Sequence, residues 1–110
     1  MGSNKGEPPD KTEFPDCIDR VIHEPARLKV LALLYVIESA DFLFIMRQTG
    51  LTFGNLSSHM NKLQEAGYIS ILKEFIGKKP HTMLGLTEIG RAAFKDYKKK
   101  MQQFFDDLPV

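Results

Sequence analysis

The sequence predicts a mostly helical α+β fold in which two short consecutive helices are followed by a β-hairpin and a long final helix. Three observations support this fold class. The chain has 110 residues, of which 43% are hydrophobic, and this suits the core of one compact domain. Apolar residues recur every three or four positions over most of the chain, which is the period of helices. From residue 69 to residue 86 the sequence instead reads as two extended segments around a turn.

The globular domain is predicted to span residues 16–108. Residues 1–15 combine proline, glycine and charge with almost nothing to bury, so they are expected to form a disordered N-terminal arm. A short helix is then expected from Asp16, its N-cap, to about His23, because Pro25 disfavours helical geometry in the residue before it. The apolar side of this helix would carry Cys17, Ile18, Val21 and Ile22.

A second helix is predicted from Pro25 to about Glu38, since proline at the first helical position loses no hydrogen bond. Its apolar residues cover a broad face, which predicts a central and largely buried helix. These residues are Leu28, Leu31, Ala32, Leu34, Tyr35 and Ile37.

The next two helices are predicted to form a helix-turn-helix. Asp41 is the expected N-cap of the first, which runs to Thr49 and ends at Gly50, a residue that readily adopts the left-handed conformation. Thr52 is the expected N-cap of the second, which covers residues 52–66 before Gly67. A tight glycine-containing turn between two such helices is typical of the motif. The apolar stripe of the second helix is predicted to be Phe53, Leu56, Met60 and Leu63.

A β-hairpin and a long helix follow. Alternation begins at Ile69, residues 76–80 supply turn chemistry, and extended structure resumes at His81. Thr87 is the expected cap of the last helix, over residues 87–108. Its apolar positions alternate three and four residues apart, as in a coiled-coil seam, which suits a dimerisation helix. This seam comprises Phe94, Tyr97, Met101, Phe104 and Leu108.

The distribution of charge favours DNA binding more than the net charge does. The formal net charge is only +1, whereas nucleic-acid-binding domains are usually strongly basic. Between residues 51 and 81, however, four lysines outnumber two glutamates, and acids dominate residues 1–24. The helix over residues 52–66 is therefore expected to lie in the major groove of duplex DNA, with the lysines nearby.

Candidate DNA-binding residues lie on the polar face of that helix and on the hairpin. Asparagine can pair with adenine, serine contacts bases or phosphates, and glycine permits close backbone approach. A solvated polar face is the alternative, but weak helix formers are unusual there. Hairpin lysines can also serve solubility alone, and His59 is ambiguous between packing and a phosphate contact. The candidates are Thr52, Gly54, Asn55, Ser57, Ser58, His59, Asn61, Lys62, Lys73, Lys78 and Lys79.

Other functional classes are disfavoured. Cys17 is the only cysteine, and together with His23, His59 and His81 it lacks the close spacings of a zinc site, so no metal is expected. No phosphate-binding loop, nucleophile elbow or metalloprotease motif is present, so neither a cofactor nor an enzyme is expected. The sequence lacks an apolar run long enough for a membrane span or signal peptide, which predicts a cytoplasmic protein.

Four segments carry a resemblance to a known family: residues 50–60 (GLTFGNLSSHM), 65–69 (EAGYI), 77–80 (GKKP) and 84–91 (LGLTEIGR). Together they resemble the small, stand-alone winged-helix DNA-binding proteins of archaea and bacteria, which are related to the MarR and ArsR regulators. The resemblance covers about residues 17–105. The cysteine metal-sensing motif of many ArsR proteins is missing, and the hairpin lacks the arginine common in MarR wings.

The resemblance implies a homodimeric transcriptional regulator with a winged helix-turn-helix fold and a two- or three-stranded wing. Residues 52–66 would enter the major groove, and the wing tip, residues 76–80, would contact phosphates or the minor groove. The last helix and residues 16–22 would form the dimer interface. The implied interface residues are Ile18, Ile22, Phe94, Tyr97, Met101, Phe104 and Leu108.

Two alternatives remain open at this point. The modest net charge also suits a winged-helix module that holds a protein partner and never touches DNA. The second alternative is a regulator that binds a small-molecule effector between Phe94, Tyr97 and the first helix. An apolar stripe is, however, more often plain core or interface.

Overall fold

A computed structural model describes residues 17–110, and it confirms the predicted fold class. The predicted arm over residues 1–15 and the proposed cap at Asp16 lie outside the described residues. No helix in the described part of the chain is long and apolar enough to cross a membrane. The elements in chain order are α1 (Pro25–Ile37), β1 (Ser39–Asp41), α2 (Phe42–Thr49), α3 (Phe53–Glu65), β2 (Ile69–Ile76), β3 (Lys79–Leu86) and α4 (Glu88–Asp106).

The prediction of a short helix before His23 is wrong, because residues 17–24 form turns and bends instead. The side chain of Asp19 accepts hydrogen bonds from the backbone N–H groups of Val21 and Ile22 at 2.9 and 3.2 Å. An aspartate that bonds its own backbone in this way offers the chain an alternative to the helix. The segment still packs inward, since Ile22 is completely buried.

Helix α1 is the central helix of the core. It begins at Pro25, and the carboxylate of Glu24 accepts the N–H of Arg27 at 2.8 Å as an N-cap. Val30, Leu31 and Leu34 have no exposed surface, and they pack in the cluster that also holds α3 and the sheet. The broad apolar face is covered on one side only, because Ala32 and Ile37 are exposed.

Helices α2 and α3 form the predicted helix-turn-helix, with the predicted caps. Asp41 accepts the N–H of Phe44 at 2.7 Å, Gly50 has φ +75°, and Thr52 accepts the N–H of Asn55 at 3.2 Å. Local side-chain chemistry therefore sets both helix starts and the turn between them. Leu56, Met60 and Leu63 are buried as expected, whereas Phe53 is 65% exposed.

The hairpin belongs to an antiparallel sheet with the strand order β1-β3-β2. Strand β1 has no counterpart among the predicted elements, and it pairs Ser39 with Gly85 and Asp41 with Met83. The β2–β3 hairpin, which we call the wing, closes more tightly than expected. Ile76 pairs with Lys79 across a two-residue turn in which Gly77 has φ +67°.

Helix α4 is anchored where β2 begins. The hydroxyl of Thr87 donates to the carbonyl of Gly67 at 2.6 Å and accepts the N–H of Gly90 at 2.9 Å. A Cβ at Gly90 would lie 2.1 Å from the carbonyl oxygen of Tyr68, so only glycine permits this approach. The phenol of Tyr68 in turn donates a hydrogen bond to the carboxylate of Asp19. Burial, which is the larger cause, and this hydrogen bond together raise the pKa of Tyr68 to about 12.

Candidate nucleic-acid interface

The solvent-facing side of α3 carries most of the predicted DNA-binding groups. Thr52 caps the helix and is exposed, and His59 is half-buried beside the core stripe. The remaining groups, which we call the recognition face, are exposed apart from the half-buried Ser57. The recognition face consists of Gly54, Asn55, Ser57, Ser58, Asn61 and Lys62.

The recognition face includes a glycine that the fold does not require. A Cβ added to Gly54 would meet nothing within 4 Å, and the residue has ordinary helical geometry. Glycine inside a helix costs about 0.5 to 1 kcal/mol relative to alanine. Folding gains nothing from a glycine at position 54. Its presence is explained better by a binding surface at which the helix backbone must come close to another molecule.

A groove of about 540 Å³ separates α3 from the wing. Ser57 and Asn61 line it from the helix, and Lys73 and Thr82, which are paired across the two strands, line it from the sheet. The structure therefore brings polar groups of the recognition face and a wing lysine to one concave surface. Gln64 also lines this groove, and the sequence reading missed it, although it lies three residues after Asn61.

The wing tip presents two exposed lysines on different parts of the hairpin. Lys78 lies in the turn and Lys79 is the first residue of β3. Lys79 pairs with Ile76, whereas Lys73 lies three pairs further from the turn, so side-chain alternation points Lys73 and Lys79 to opposite faces. The tip is also apolar, since Phe75 and Ile76 are 73% and 60% exposed.

His59 connects α3 to the start of α1. The guanidinium of Arg27 donates to Nδ1 of His59 at 3.1 Å, so this nitrogen accepts and the ring proton lies on Nε2. The carboxylate of Glu24 is 3.7 Å from the same nitrogen. Burial raises the pKa of Glu24, but the hydrogen bond from Arg27 and nearby positive charge outweigh it, so the pKa is lower than usual.

His81 connects the wing to the helix-turn-helix. Its Nδ1 lies 3.4 Å from a carboxylate oxygen of Glu74 on β2, and its Nε2 lies 3.9 Å from one of Asp41, the cap of α2. The imidazole thus sits between acids from two elements. Glu74 and His81 are paired across the hairpin and lie on the face of the wing away from the groove, whereas the neighbouring Lys73 faces the groove.

The residues implied as a dimer interface fall into two groups. Four of them are buried within the chain's own core: Ile18, Ile22, Phe94 and Tyr97. The hydroxyl of Tyr97 forms a hydrogen bond with Nδ1 of His23 at 2.8 Å. Met101 and Phe104 are half-buried, and Leu108 is 37% exposed. Phe105, which the sequence reading left out of the seam, is 59% exposed and lines an apolar hollow of about 300 Å³ that reaches Leu28 on α1.

Comparison with known proteins agrees with this architecture. The sequence model of the family described as winged helix DNA-binding domain matches residues 26–105. An uncharacterized protein of Methanocaldococcus jannaschii is 37% identical over 78 residues, which cover 71% of this chain and 85% of that protein.

Solved structures share the fold. A transcriptional regulator homologue from Pyrococcus horikoshii superposes with a TM-score of 0.78 at 27% identity, covering 84% of this chain and 91% of that one. Reduced AbfR bound to DNA superposes with a TM-score of 0.59 at 18% identity, over 74% of this chain and 55% of that one. At this lower identity the second match concerns the fold alone.

Proposed function

This chain belongs to the winged helix DNA-binding domain family, and from that premise we propose that it binds specific double-stranded DNA as a homodimer and regulates transcription. One observation carries the proposal: Ser57 and Asn61 of the recognition face and Lys73 of the wing line a single groove between α3 and the wing. The similarity to a transcriptional regulator homologue from Pyrococcus horikoshii supports the regulatory role.

In the proposed complex α3 lies in the major groove. Asn55, Ser58 and Asn61 are exposed and face outward, where amide and hydroxyl groups can bond base edges. Gly54 lets the helix backbone come close to the DNA. Thr52 and Ser57 lie beside them, and their hydroxyl groups can bond either a base edge or a phosphate.

The phosphate backbone would be held by lysines of α3 and the wing and by His59. Lys62, Lys73, Lys78 and Lys79 are exposed and lie on α3 and the wing, with the wing tip against phosphates or the minor groove. His59 has its Nδ1 occupied by Arg27, which leaves the Nε2–H as the donor for a phosphate.

The proposed dimer forms along the C-terminal half of α4. Met101 and Phe104 retain exposed surface there, and Phe105 extends the apolar strip. Leu108, which the sequence placed in this helix, lies just beyond its end at Asp106 and is also partly exposed. The deeper residues Ile18, Ile22, Phe94 and Tyr97 would shape the interface from beneath by holding α4 on the core. Two copies would then read half-sites about one helical turn apart, roughly 34 Å.

DNA binding is tested with a duplex selected by the protein from a random-sequence library. Affinity should fall linearly with the logarithm of salt concentration, because binding releases counterions. Lys78→Ala and Lys79→Ala should weaken binding to every duplex and each reduce the salt slope by about 1. Lys29→Ala, an exposed lysine on α1, is the matched control and should leave the slope unchanged. Failure to select any duplex, or salt-independent binding, would contradict the proposal.

The dimer is tested by native mass measurement on Phe105→Ser. Loss of this exposed ring should shift the protein toward the monomer, and DNA affinity should fall about 100-fold or more when the two half-sites are no longer held together. Phe75→Ser, which removes an exposed ring from the wing, should leave the mass unchanged. A wild-type protein that is monomeric at every concentration would overturn the dimer.

The second candidate is a protein-interaction module, which one observation favours. Leu72 and Ile76 lie on one face of the wing and Phe75 lies on the other, and all three are more than half exposed. The wing therefore carries apolar surface that DNA phosphates do not need. This function predicts no selected duplex and a partner whose binding survives neutralisation of Lys78 and Lys79.

A further inference from the structure

Phe53 is an apolar residue in an exposed position at the start of α3. Its ring is 65% exposed, although its spacing from Leu56 and Met60 predicts a core position. The packing that usually fixes a helix start is available from other residues. Leu51 and Leu56 occupy the two positions of a hydrophobic staple and both pack in the core, so Phe53 is not needed for that purpose.

The exposed ring is held in place from below. Its centroid lies 4.9 Å from that of Phe42, with an angle of 52° between the two rings, and Phe42 is only 8% exposed. Tilted aromatic pairs at this distance are favourable. Phe53 is therefore a supported apolar projection with little orientational freedom left to lose on binding.

The ring also stands between two hollows. It lines the 540 Å³ groove next to the wing, and it lines a second hollow of about 430 Å³ that Arg47 and Pro80 border. Phe53 thus forms the ridge between the two hollows on the side of the domain where α3 meets the wing.

Phe53 is aligned with the proposed readers. Ser57 and Asn61 follow it at intervals of four residues and line the same groove, so the three side chains form one row along α3. In helix-turn-helix proteins the first residues of the recognition helix are the ones nearest the base edges. Phe53 occupies that end of the row.

We infer that Phe53 is a specificity-determining residue that packs on the C5-methyl group of a thymine in each half-site. This inference rests on the proposed DNA binding and deepens it. Thymine presents an apolar methyl group in the major groove, and phenylalanine is among the side chains that contact it. In this row Phe53 contacts the apolar methyl group of a thymine, and Ser57 and Asn61 bond the polar edges of bases.

The test removes only the methyl group from the DNA. The wild-type protein selects a duplex from a random library, and each thymine of one half-site is replaced in turn by deoxyuridine. One replacement should weaken wild-type binding by about fourfold, the effect of one buried methyl-sized group. Phe53→Ala should bind the thymine and deoxyuridine duplexes equally at that position, and Phe53→Leu should keep part of the difference.

Ile89→Ala is the matched control, since it removes an apolar side chain of similar exposure, 64% against 65%, from the start of α4, and it should retain the full deoxyuridine penalty. Circular dichroism and thermal unfolding verify that the Phe53 variants are folded, as expected for an exposed site. If every deoxyuridine duplex affects wild type and Phe53→Ala alike, the methyl contact is refuted while DNA binding stands. If the wild type selects no duplex, the proposed function fails, and the Phe53 inference fails with it.

Discussion

Helices α1 and α3 are equally long, at 13 residues each, but their sequences serve different purposes. Helix α1 buries Val30, Leu31 and Leu34 completely and holds the centre of the core. Helix α3 has a single buried stripe, and the rest of its surface carries glycine, serine and asparagine, which are poor helix formers. Helix α3 therefore depends on tertiary packing for its stability, and it keeps a surface that folding does not explain.

The two helices are joined by a polar contact rather than by apolar packing alone. Arg27 on α1 bonds the ring of His59 on α3, and Glu24 at the cap of α1 bonds the backbone of Arg27. A change in the α1 cap can therefore disturb the orientation of α3, whereas changes on the recognition face should leave α1 intact.

The largest expected effect is in α1. Leu31→Ala removes a completely buried side chain, so the free energy of unfolding should fall by about 2 to 5 kcal/mol, measured by urea denaturation. Leu72→Ala, at a position 57% exposed on the wing, is the matched control and should cost less than about 0.5 kcal/mol. Equal losses in the two variants would contradict the assignment of the core to α1.

The next effect is in α3 and concerns binding instead of stability. Asn61→Ala should reduce discrimination between the selected duplex and a single-base variant by about 1 to 3 kcal/mol. Its free energy of unfolding should change by less than about 0.5 kcal/mol, because the residue is exposed. Gln48→Ala removes an exposed amide from α2 and should change neither quantity. An Asn61 variant that unfolds more easily but discriminates normally would reverse the distinction between the helices.

A smaller effect should appear with the opposite sign. Gly54→Ala should raise the free energy of unfolding by about 0.5 to 1 kcal/mol, because the new Cβ meets nothing and helix propensity improves. DNA affinity should nevertheless fall if the α3 backbone approaches the DNA closely. The same substitution at Gly67, where φ is +82°, should destabilise the protein. A Gly54 variant with improved stability and unchanged affinity would show that close approach is not required.

The smallest effect tests the link between the helices. The lowered pKa of Glu24 means that its ionised form stabilises the folded state. That contribution is present above the ordinary pKa of 4.5 and is lost as the pH falls through the lower native value. Glu24→Gln should therefore cost about 0.5 to 1 kcal/mol near neutral pH, with the difference shrinking in acid. A Glu24→Gln penalty that is the same at every pH would contradict this role of the carboxylate.

Helix caps were the most predictable feature of this molecule. The caps at Asp41 and Thr52 and the left-handed residue Gly50 act within a few residues, so the pattern of residue types indicates them directly. The helix predicted before His23 was wrong because Asp19 bonds its own backbone, a local competition that periodicity does not register. Strand β1 was missed because three residues have no period to detect, and only pairing with β3 makes them a strand.

The candidate site was predictable as a set of residues but not as a surface. The polar face of α3 follows from helical spacing, whereas its juxtaposition with Lys73 and Thr82 depends on how the wing folds back. Gln64 was missed for that reason. Phe53 was assigned to the core because periodicity gives the face of a helix but not where the covering layer stops.

Most of the helices and strands, the helix-turn-helix and the polar character of α3 follow from the sequence alone, because these depend on interactions between near neighbours in the chain. Tertiary structure alone decided that Ile22 and Phe94 lie in the core, that Phe105 and Phe53 stay exposed, and that the wing forms a groove with α3. Burial depends on which distant segments come to cover a residue, and that information belongs to the packing of the whole domain.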